Sequence, residues 1–405
     1  MKIGNIDELI SKRSGLIYDH VKINPKEGLP LLFRYLSVIK YRGELIRGSG
    51  FSLNEDQSKL ASLGECIERY CASMDSHLKV LRCSRNQSTD FLALNTITRL
   101  TNEQYLINPD FEEKSDYSPL YWIQGTSILY KTKKWIPYEL TLLKPTPYKP
   151  IRDIISTGLA AHESVEEAIN GGLCECIERD AFMLFWLLGR VNFEVSVTET
   201  DDEYISTLLK IATSSNLSIN IYDITTDYNV PTILTLVRRK GKDGFYMGCS
   251  SSLSYKKSVI KSLEEGLGGY SIYSESLEQG KKKKPKSFDE IKELEDHPLF
   301  YLNGGCDSIL LDLLFNKQLE LRPMPKDHFL CLNEVLETFK YRGEDLFYVD
   351  LTSADINSIG FKVVKVIAPT LAFLSIGTPL LNCERLYFYK NKQNRDFNLL
   401  PHPFP

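Results

Sequence analysis

Residues 163–188 read ESVEEAINGGLCECIERDAFMLFWLL. The spacing predicts one long helix. Acidic residues crowd its start, and the run Phe182–Leu188 at its end is apolar enough to be buried. Inside it lies the pentapeptide ECIER, Glu175–Arg179, and the same five residues occur earlier as Glu65–Arg69. The earlier copy sits in residues 55–78, EDQSKLASLGECIERYCASMDSHL, where Leu60, Leu63, Ile67 and Tyr70 fall at helical spacing. A weaker third relative, Ser262-Leu263-Glu264-Glu265, lies in a helix expected over 255–274. An internally duplicated helix-strand unit is therefore expected. A solenoid is not, because solenoid repeats run to only ~50 residues.

On a helix, residues three apart share a face, so Glu65 and Glu68 project together, as do Glu175 and Glu178. Like charges at that spacing cost each helix roughly 0.2–0.5 kcal/mol, partly offset by the pairs Glu65–Arg69 and Glu175–Arg179. A single copy reads most simply as a solvated, salt-bridged face. Two copies on otherwise apolar helices read differently, because buried paired carboxylates need a cation or another compensating partner. Glu167 stands two turns before Glu175 and on the same side. Carboxylates gathered in this way suit Mg2+ held together with substrate phosphates, and so a nucleotide site of an unusual kind. The usual phosphate loops, G-x-x-x-x-G-K-[ST] and G-x-G-x-x-G, are absent. Gly48-Ser49-Gly50 and Gly266-Leu267-Gly268-Gly269 read as turns or helix caps. The six histidines lack H-E-x-x-H spacing and no cysteine has a histidine base nearby in sequence, which leaves zincin and Ser-His hydrolase chemistry unsupported. Trp122, Trp135 and Trp186 read as core.

The whole chain is 405 residues, with 49 Lys plus Arg against 53 Asp plus Glu, a net charge of −4. Apolar residues at 42% and charged residues at 25% exclude a mainly disordered, collagen-like or membrane-spanning chain. The balance gives no basic footprint for nucleic-acid binding. The longest apolar run, Ala181–Gly189, falls short of the ~20 residues that cross a bilayer. The start, MKIGNIDELISKRSG, lacks the apolar segment of a signal peptide. Nine scattered cysteines without C-x-x-C read as the reduced thiols of a cytoplasmic protein. Strands are expected at Leu120–Trp122, Trp135–Leu140, Leu217–Ile221, Thr232–Arg238, Gly244–Gly248, Leu346–Leu351 and Phe361–Ala368. Further helices are expected at 203–214 and 287–294. Interleaved helices and strands make the class α/β or α+β. The run KKKKPK after Gly280 reads as a solvated loop. Pro401-His402-Pro403-Phe404-Pro405 can form no regular element.

The stretch Ser156–Trp186, STGLAAHESVEEAINGGLCECIERDAFMLFW, closely resembles the signature of the YcaO family. Ser62-Leu63-Gly64-Glu65-x-x-Glu68-Arg69 resembles that family's S-x-x-E-x-x-E-R motif. Glu167 with Glu175-x-x-Glu178-Arg179 resembles its second motif, and Lys261-x-x-x-Glu265 its third. Pro401-x-Pro403-x-Pro405 is similar to the P-x-P-x-P tail of the azoline-forming branch. The resemblance runs from about residue 40 to the last residue. It implies an N-terminal segment over 1–40 and a YcaO-like catalytic domain over 41–405, with an ATP-binding fold that lacks a P-loop. Two departures stand out: Gly171 where many relatives carry Gln, and Ser49 where many carry Lys or Arg.

The resemblance implies ATP and Mg2+ as cofactors. It makes Glu65, Glu68, Glu175 and Glu178 the Mg2+ ligands, with Glu65 and Glu175 at the catalytic centre. Ser62, Arg69, Glu167, Lys261 and Glu265 become nucleotide contacts or supports of the cage. The Pro405 carboxylate becomes a participant in proton transfer. The implied activity is that of an ATP-dependent cyclodehydratase of thiazole/oxazole-modified peptide biosynthesis, acting on a ribosomally made precursor peptide. Two alternatives share the motifs: a thioamide- or amidine-forming enzyme, and a non-catalytic scaffold subunit. The implied partners are the precursor peptide and a separate leader-binding protein like a ubiquitin-activating enzyme. A flavin-dependent azoline dehydrogenase and a homodimer are compatible additions, while neither nucleic acid nor membrane is expected.

Overall fold

In the computed structural model, residues 10, 16–86, 88–197, 202–280, 284–304, 306–327 and 329–405 are described. Three antiparallel strands come first: β1 (Ile17–Lys22), β2 (Phe33–Tyr41) and β3 (Glu44–Ser52). They lead into helix α1 (Glu55–Ala72). Strands β4 (Val80–Cys83), β5 (Leu120–Ser127), β6 (Lys133–Pro137) and β7 (Leu159–His162) precede helix α2 (Val165–Leu188). Next come β8 (Phe193–Ser196), α3 (Glu203–Ser214), β9 (Leu217–Asp223), β10 (Thr232–Arg239), β11 (Phe245–Ser251) and α4 (Tyr255–Gln279). The last part holds β12 (Leu321–Pro323), α5 (Leu332–Tyr341), β13 (Phe347–Asp350), β14 (Lys362–Ile367) and α6 (Glu384–Gln393). A second sheet has the order β11-β10-β9-β8-β12, and a third β4-β5-β13-β14-β7 with β6 beside β5. Strand pairing among the described residues is antiparallel except between β12 and β8, so the architecture is α+β.

The helix ends follow their capping residues. Asn54 accepts a hydrogen bond from Gln57 N at 3.0 Å to open α1. The helix stops at Ala72, short of residue 78, where the Ser73 hydroxyl donates to the Arg69 carbonyl at 2.7 Å. Ser164 caps α2, and Gly189 ends it in the left-handed region at φ 65°. The run Ala181–Leu188 is buried throughout, as its composition demands. No helix among the described residues is long and apolar enough to cross a membrane.

Several local expectations change. Gly48-Ser49-Gly50 is not a turn but part of β3, lying flat under α1. A Cβ at Gly48 would sit 2.3 Å from Ser62 O and Cys66 N, so only glycine permits this approach. Gly266–Gly269 lie inside α4, where Gly268 and Gly269 make room for the rings of Phe51 and Tyr246. The helix expected at 287–294 is a single turn, Phe288–Glu290, followed by a helix at Asp296–Leu302. The strand expected at Trp135–Leu140 ends at Pro137 and continues as a helical turn. Within the basic run, residues 281–283 lie outside the described residues.

The internal duplication is visible in three dimensions, and its nearest pair is α1 with α4. In the first unit, Gly48 pairs with Ser37 across the β2–β3 hairpin, and Ser37 Oγ meets Ser62 Oγ at 2.9 Å. In the second, Gly248 pairs with Thr235 across β10–β11, and Thr235 Oγ1 meets Ser262 Oγ at 2.9 Å. A Cβ at Gly248 would meet Gly266 N at 2.3 Å and Ser262 O at 2.5 Å, as at Gly48. Helix α2, which carries the second ECIER, packs instead on β7 and β14, strands distant from each other in sequence.

Candidate functional site

Strands β3, β7 and β11 are the end strands of their three sheets. An end strand leaves amide N–H groups without a neighbouring strand. Here the carboxylates of the ECIER helices take amides on and beside those strands. Ser49 N on β3 donates to Glu65 Oε2 at 2.5 Å, with the Ser49 hydroxyl at 3.3 Å. Gly158 N, just before β7, donates to Glu175 Oε2 at 3.1 Å, and Ala161 N on β7 to Glu68 Oε1 at 2.8 Å. Ser251 N on β11 donates to Glu178 Oε2 at 2.9 Å. One oxygen of each carboxylate is thereby fixed, and the edges of three sheets are satisfied by charge in place of a strand.

Two arginines take the remaining oxygens of Glu65, Glu175 and Glu178. Arg69 reaches Glu65 Oε1 at 2.6 Å, and Arg179 reaches Glu175 Oε1 at 3.4 Å and pairs with Glu178. The electrostatics join the helices into one cluster. Burial, with Glu175 adding, raises Glu68 to about 8. Burial raises Glu178 well above the usual carboxylate range; Arg179 opposes this, while Glu265 and Glu175 reinforce it. Glu265 on α4 rises to about 7 by burial, against Arg179 and Lys261. Glu65, Glu68, Glu175, Glu178 and Glu265 thus belong to one neighbourhood that is short of positive charge.

Other expected residues sit at its margin or outside it. Lys261 is exposed on α4, 3.8 Å from Glu264. Ser62 is buried, with its hydroxyl held by Ser37 Oγ and Lys59 O, so it fastens α1 to β2. Glu167 is exposed at the start of α2, bonded to the Ser164 hydroxyl at 2.9 Å and His162 Nδ1 at 2.7 Å. It stands about 12 Å from Glu175 along the helix axis. Gly171 is exposed too, facing the Ala160 methyl.

The 401–405 tail is anchored along α2. Trp186 Nε1 donates to Leu400 O at 2.8 Å, and the Tyr301 hydroxyl to Pro401 O. His297 Nδ1 meets His402 O, and the two imidazoles stack at 4.4 Å. Phe404 lies 4.8 Å from the Phe182 ring and 4.3 Å from the Arg179 guanidinium. The tail therefore sets Phe404, the residue before Pro405, against the arginine that holds Glu175 and Glu178.

Among the described residues, no three His, Cys, Asp or Glu side chains converge as a ready-made metal site. The donors nevertheless fit Mg2+: they are all carboxylate oxygens, and two of them, Glu68 and Glu178, lack a full counter-charge. Glu65, Glu68, Glu175 and Glu178 are the residues that would hold it.

Sequence reasoning missed two features. Lys365 is a buried lysine in β14, and its only signal is a cation inside the apolar run Phe361–Ala368. Asp180, directly after the second ECIER, accepts from Arg385 Nε at 2.8 and 2.9 Å and from Ala372 N at 2.9 Å. That buried pair locks α6 to α2 and so sets where the tail begins. Its partners are too far apart in sequence to be paired by pattern.

A family model described as YcaO cyclodehydratase, ATP- and Mg2+-binding, matches residues 49–372. Curated relatives include an uncharacterized protein of Methanothermobacter thermautotrophicus, 28% identical over 274 residues, covering 64% of this chain and 67% of the relative. The microcin B17-processing protein McbD of Escherichia coli is 34% identical over 133 residues, 31% of this chain and 33% of McbD. Three solved structures share the fold. One is a heterocyclase in complex with substrate and cofactor, with a TM-score of 0.75 and 20% identity over 99% of this chain. The chain spans 56% of that heterocyclase. The second is YcaO from Methanopyrus kandleri bound with AMPPCP and Mg2+, with a TM-score of 0.63 and 14% identity, covering 91% of this chain and 88% of that one. The third is the E. coli microcin synthetase McbBCD complex, with a TM-score of 0.65, 18% identity and 90% of both chains covered.

Proposed function

This chain belongs to the YcaO family, and from that premise we propose that it is an ATP-dependent cyclodehydratase of ribosomally made peptides. The observation that carries the reading is the five-carboxylate cluster on α1, α2 and α4, four of its members anchored on edge amides and the whole short of positive charge. In the proposed reaction, a Cys, Ser or Thr side chain of the peptide attacks the preceding amide carbonyl. The tetrahedral oxygen takes the γ-phosphoryl of ATP, and loss of phosphate leaves a thiazoline or oxazoline with ADP. Amide oxygen is a poor leaving group and phosphate a good one. Phosphoryl transfer itself is mostly positioning and charge neutralisation.

Glu65, Glu68, Glu175 and Glu178 hold Mg2+ in this reading, and bound Mg2+ supplies charge neutralisation at the transferring phosphoryl group. Arg69 and Arg179 keep those carboxylates apart and oriented. Lys261, Glu265, Ser62 and Glu167 border the nucleotide or brace the helices that carry the cage. Pro405, which follows Phe404 on the docked tail, is assigned to proton transfer near the reacting amide. A separate leader-binding protein recruits the precursor peptide. The McbBCD complex, in which a similar chain is assembled with others, supports such an arrangement. The nine cysteines are free, which fits a reducing cytoplasm.

The test is co-expression with a candidate leader-binding partner and a Cys/Ser/Thr-rich precursor peptide, followed by mass spectrometry of the peptide. Loss of one water per modified residue, dependent on ATP and on Glu175, is the expected result. An oxygen-to-sulfur mass gain would replace the reading with thioamide formation. An unchanged peptide despite nucleotide binding and leader capture would favour a scaffold role.

A further inference from the structure

Strand β14 lies between β13 and β7, and its side chains alternate between two cores. Val364 and Val366 enter the cluster around α2, while Val363 and Ile367 enter the cluster beneath α1. Lys365 falls on the α1 side, between Val363 and Ile367, and is 3% exposed. An ammonium at such a position is costly unless other charges compensate it. Its Nζ donates a hydrogen bond to Ile155 O at 2.8 Å. Burial lowers the group to about 8; Glu175, Cys176 and Glu68 work against that, and Arg152 works with it.

The register says what the charge faces. Lys365 pairs with Leu159 of β7. To either side of Leu159, Gly158 and Ala161 donate the amides that hold Glu175 and Glu68. The ammonium is thus placed behind the strand from which the two carboxylates are hung. Glu68 comes from α1 and Glu175 from α2, so the cation lies behind a strand segment that holds a carboxylate from each helix. An apolar residue would fill the position without a burial penalty, and the surrounding valine and isoleucine show that the core accepts one.

We propose that Lys365 is a positioning residue for the nucleotide: a fixed ammonium behind β7 that offsets Glu68 and Glu175, so that the carboxylate site on β7 admits polyphosphate. The inference rests on the ATP-dependent reading above. Without this charge, a cluster of carboxylates would repel the phosphates that it must approach. The action is through space, because the lysine lies behind the strand.

Lys365→Met tests it, since methionine fits between Val363 and Ile367 and removes the charge together with the hydrogen bond to Ile155 O. The full chain is titrated with Mg2+ and AMPPNP by calorimetry and melted without ligand. AMPPNP affinity is expected to fall about tenfold. The ligand-free melting temperature should hold or rise, because replacing a buried charge by an apolar side chain is often neutral or stabilising. Lys365→Arg should retain the affinity of the unmodified chain. A purely structural lysine would lower melting temperature and affinity together, and that outcome overturns the proposal. Unchanged affinity in Lys365→Met overturns it too. Failure of the unmodified chain to bind AMPPNP would overturn the functional reading along with it, whereas a failure confined to the variants would leave that reading standing.

Discussion

Two glycines of the first helix-on-hairpin unit should respond to alanine with opposite signs. A Cβ at Gly48 would lie 2.3 Å from Ser62 O, 2.3 Å from Cys66 N and 2.9 Å from Cys66 Cα. These are backbone atoms of α1 and cannot swing aside. Ordinary carbon contacts begin near 3.4 Å, so α1 must retreat from β3 by roughly 1 Å. That retreat also stretches the Ser49 N–Glu65 Oε2 bond, which is 2.5 Å. Overpacking of this kind costs about 1–3 kcal/mol, and the lost charge-assisted hydrogen bond adds about 1 kcal/mol. Gly48→Ala should therefore melt roughly 5 °C below the unmodified protein and lose most of its stabilisation by Mg2+ and AMPPNP. Gly64 in the same helix is the control, because a Cβ there meets nothing within 4 Å. Gly64→Ala should gain about 0.5–1 kcal/mol from helix propensity alone. Differential scanning fluorimetry with and without nucleotide, plus urea unfolding, reads both variants. A Gly48→Ala protein that melts at or above the unmodified one would refute the close-approach argument.

Glu175→Gln should abolish melting stabilisation by Mg2+ and ATP while leaving the ligand-free fold intact; unchanged stabilisation would mean the cage is assigned to the wrong residues. Arg385→Met strands the fully buried Asp180 with the Ala372 amide as its remaining partner. It should cost about 3–5 kcal/mol in urea unfolding, and a loss below about 1 kcal/mol would contradict the buried-pair account. The tail should be sensitive to acid. Burial holds His297 down to about 4, below the ordinary value of 6.5. Between those two pH values the unfolded chain binds the extra proton, so the contribution is complete above 6.5. It is lost as pH falls through the window, by about 1.4 kcal/mol per unit for this group. Because Trp186 bonds the tail at Leu400, its fluorescence against pH should report the release. His297→Asn should flatten the dependence, and an unaltered slope would show that His297 is not the group that titrates.

The two ECIER segments could be placed on helices from periodicity alone. Their glutamates share a face because three residues make most of a helical turn. The caps Asn54, Ser164 and Gly189 are local as well, since a cap bonds within its own first or last turn. The apolar end of α2 announced its own burial. The tail's proline spacing marked it as irregular, though not where it docks. By contrast, Gly48-Ser49-Gly50 has the composition of a turn, and only the packing of α1 on β3 turns those glycines into a contact surface. The basic cluster member Lys365 and the pair Asp180–Arg385 depend on partners from separate elements, which no spacing rule connects.

The sequence by itself determined which carboxylates stand side by side, because helical geometry is set by neighbours three and four residues away. It also determined family membership, through ordered motifs over most of the chain. The tertiary structure alone decided what those carboxylates face. Their amide partners on β3, β7 and β11 come from the ends of three different sheets. Glu68 finds its amide at Ala161, and Glu178 finds its at Ser251. Such pairings arise when whole sheets dock, because an unpaired edge amide and a buried carboxylate each lack a partner until the other arrives.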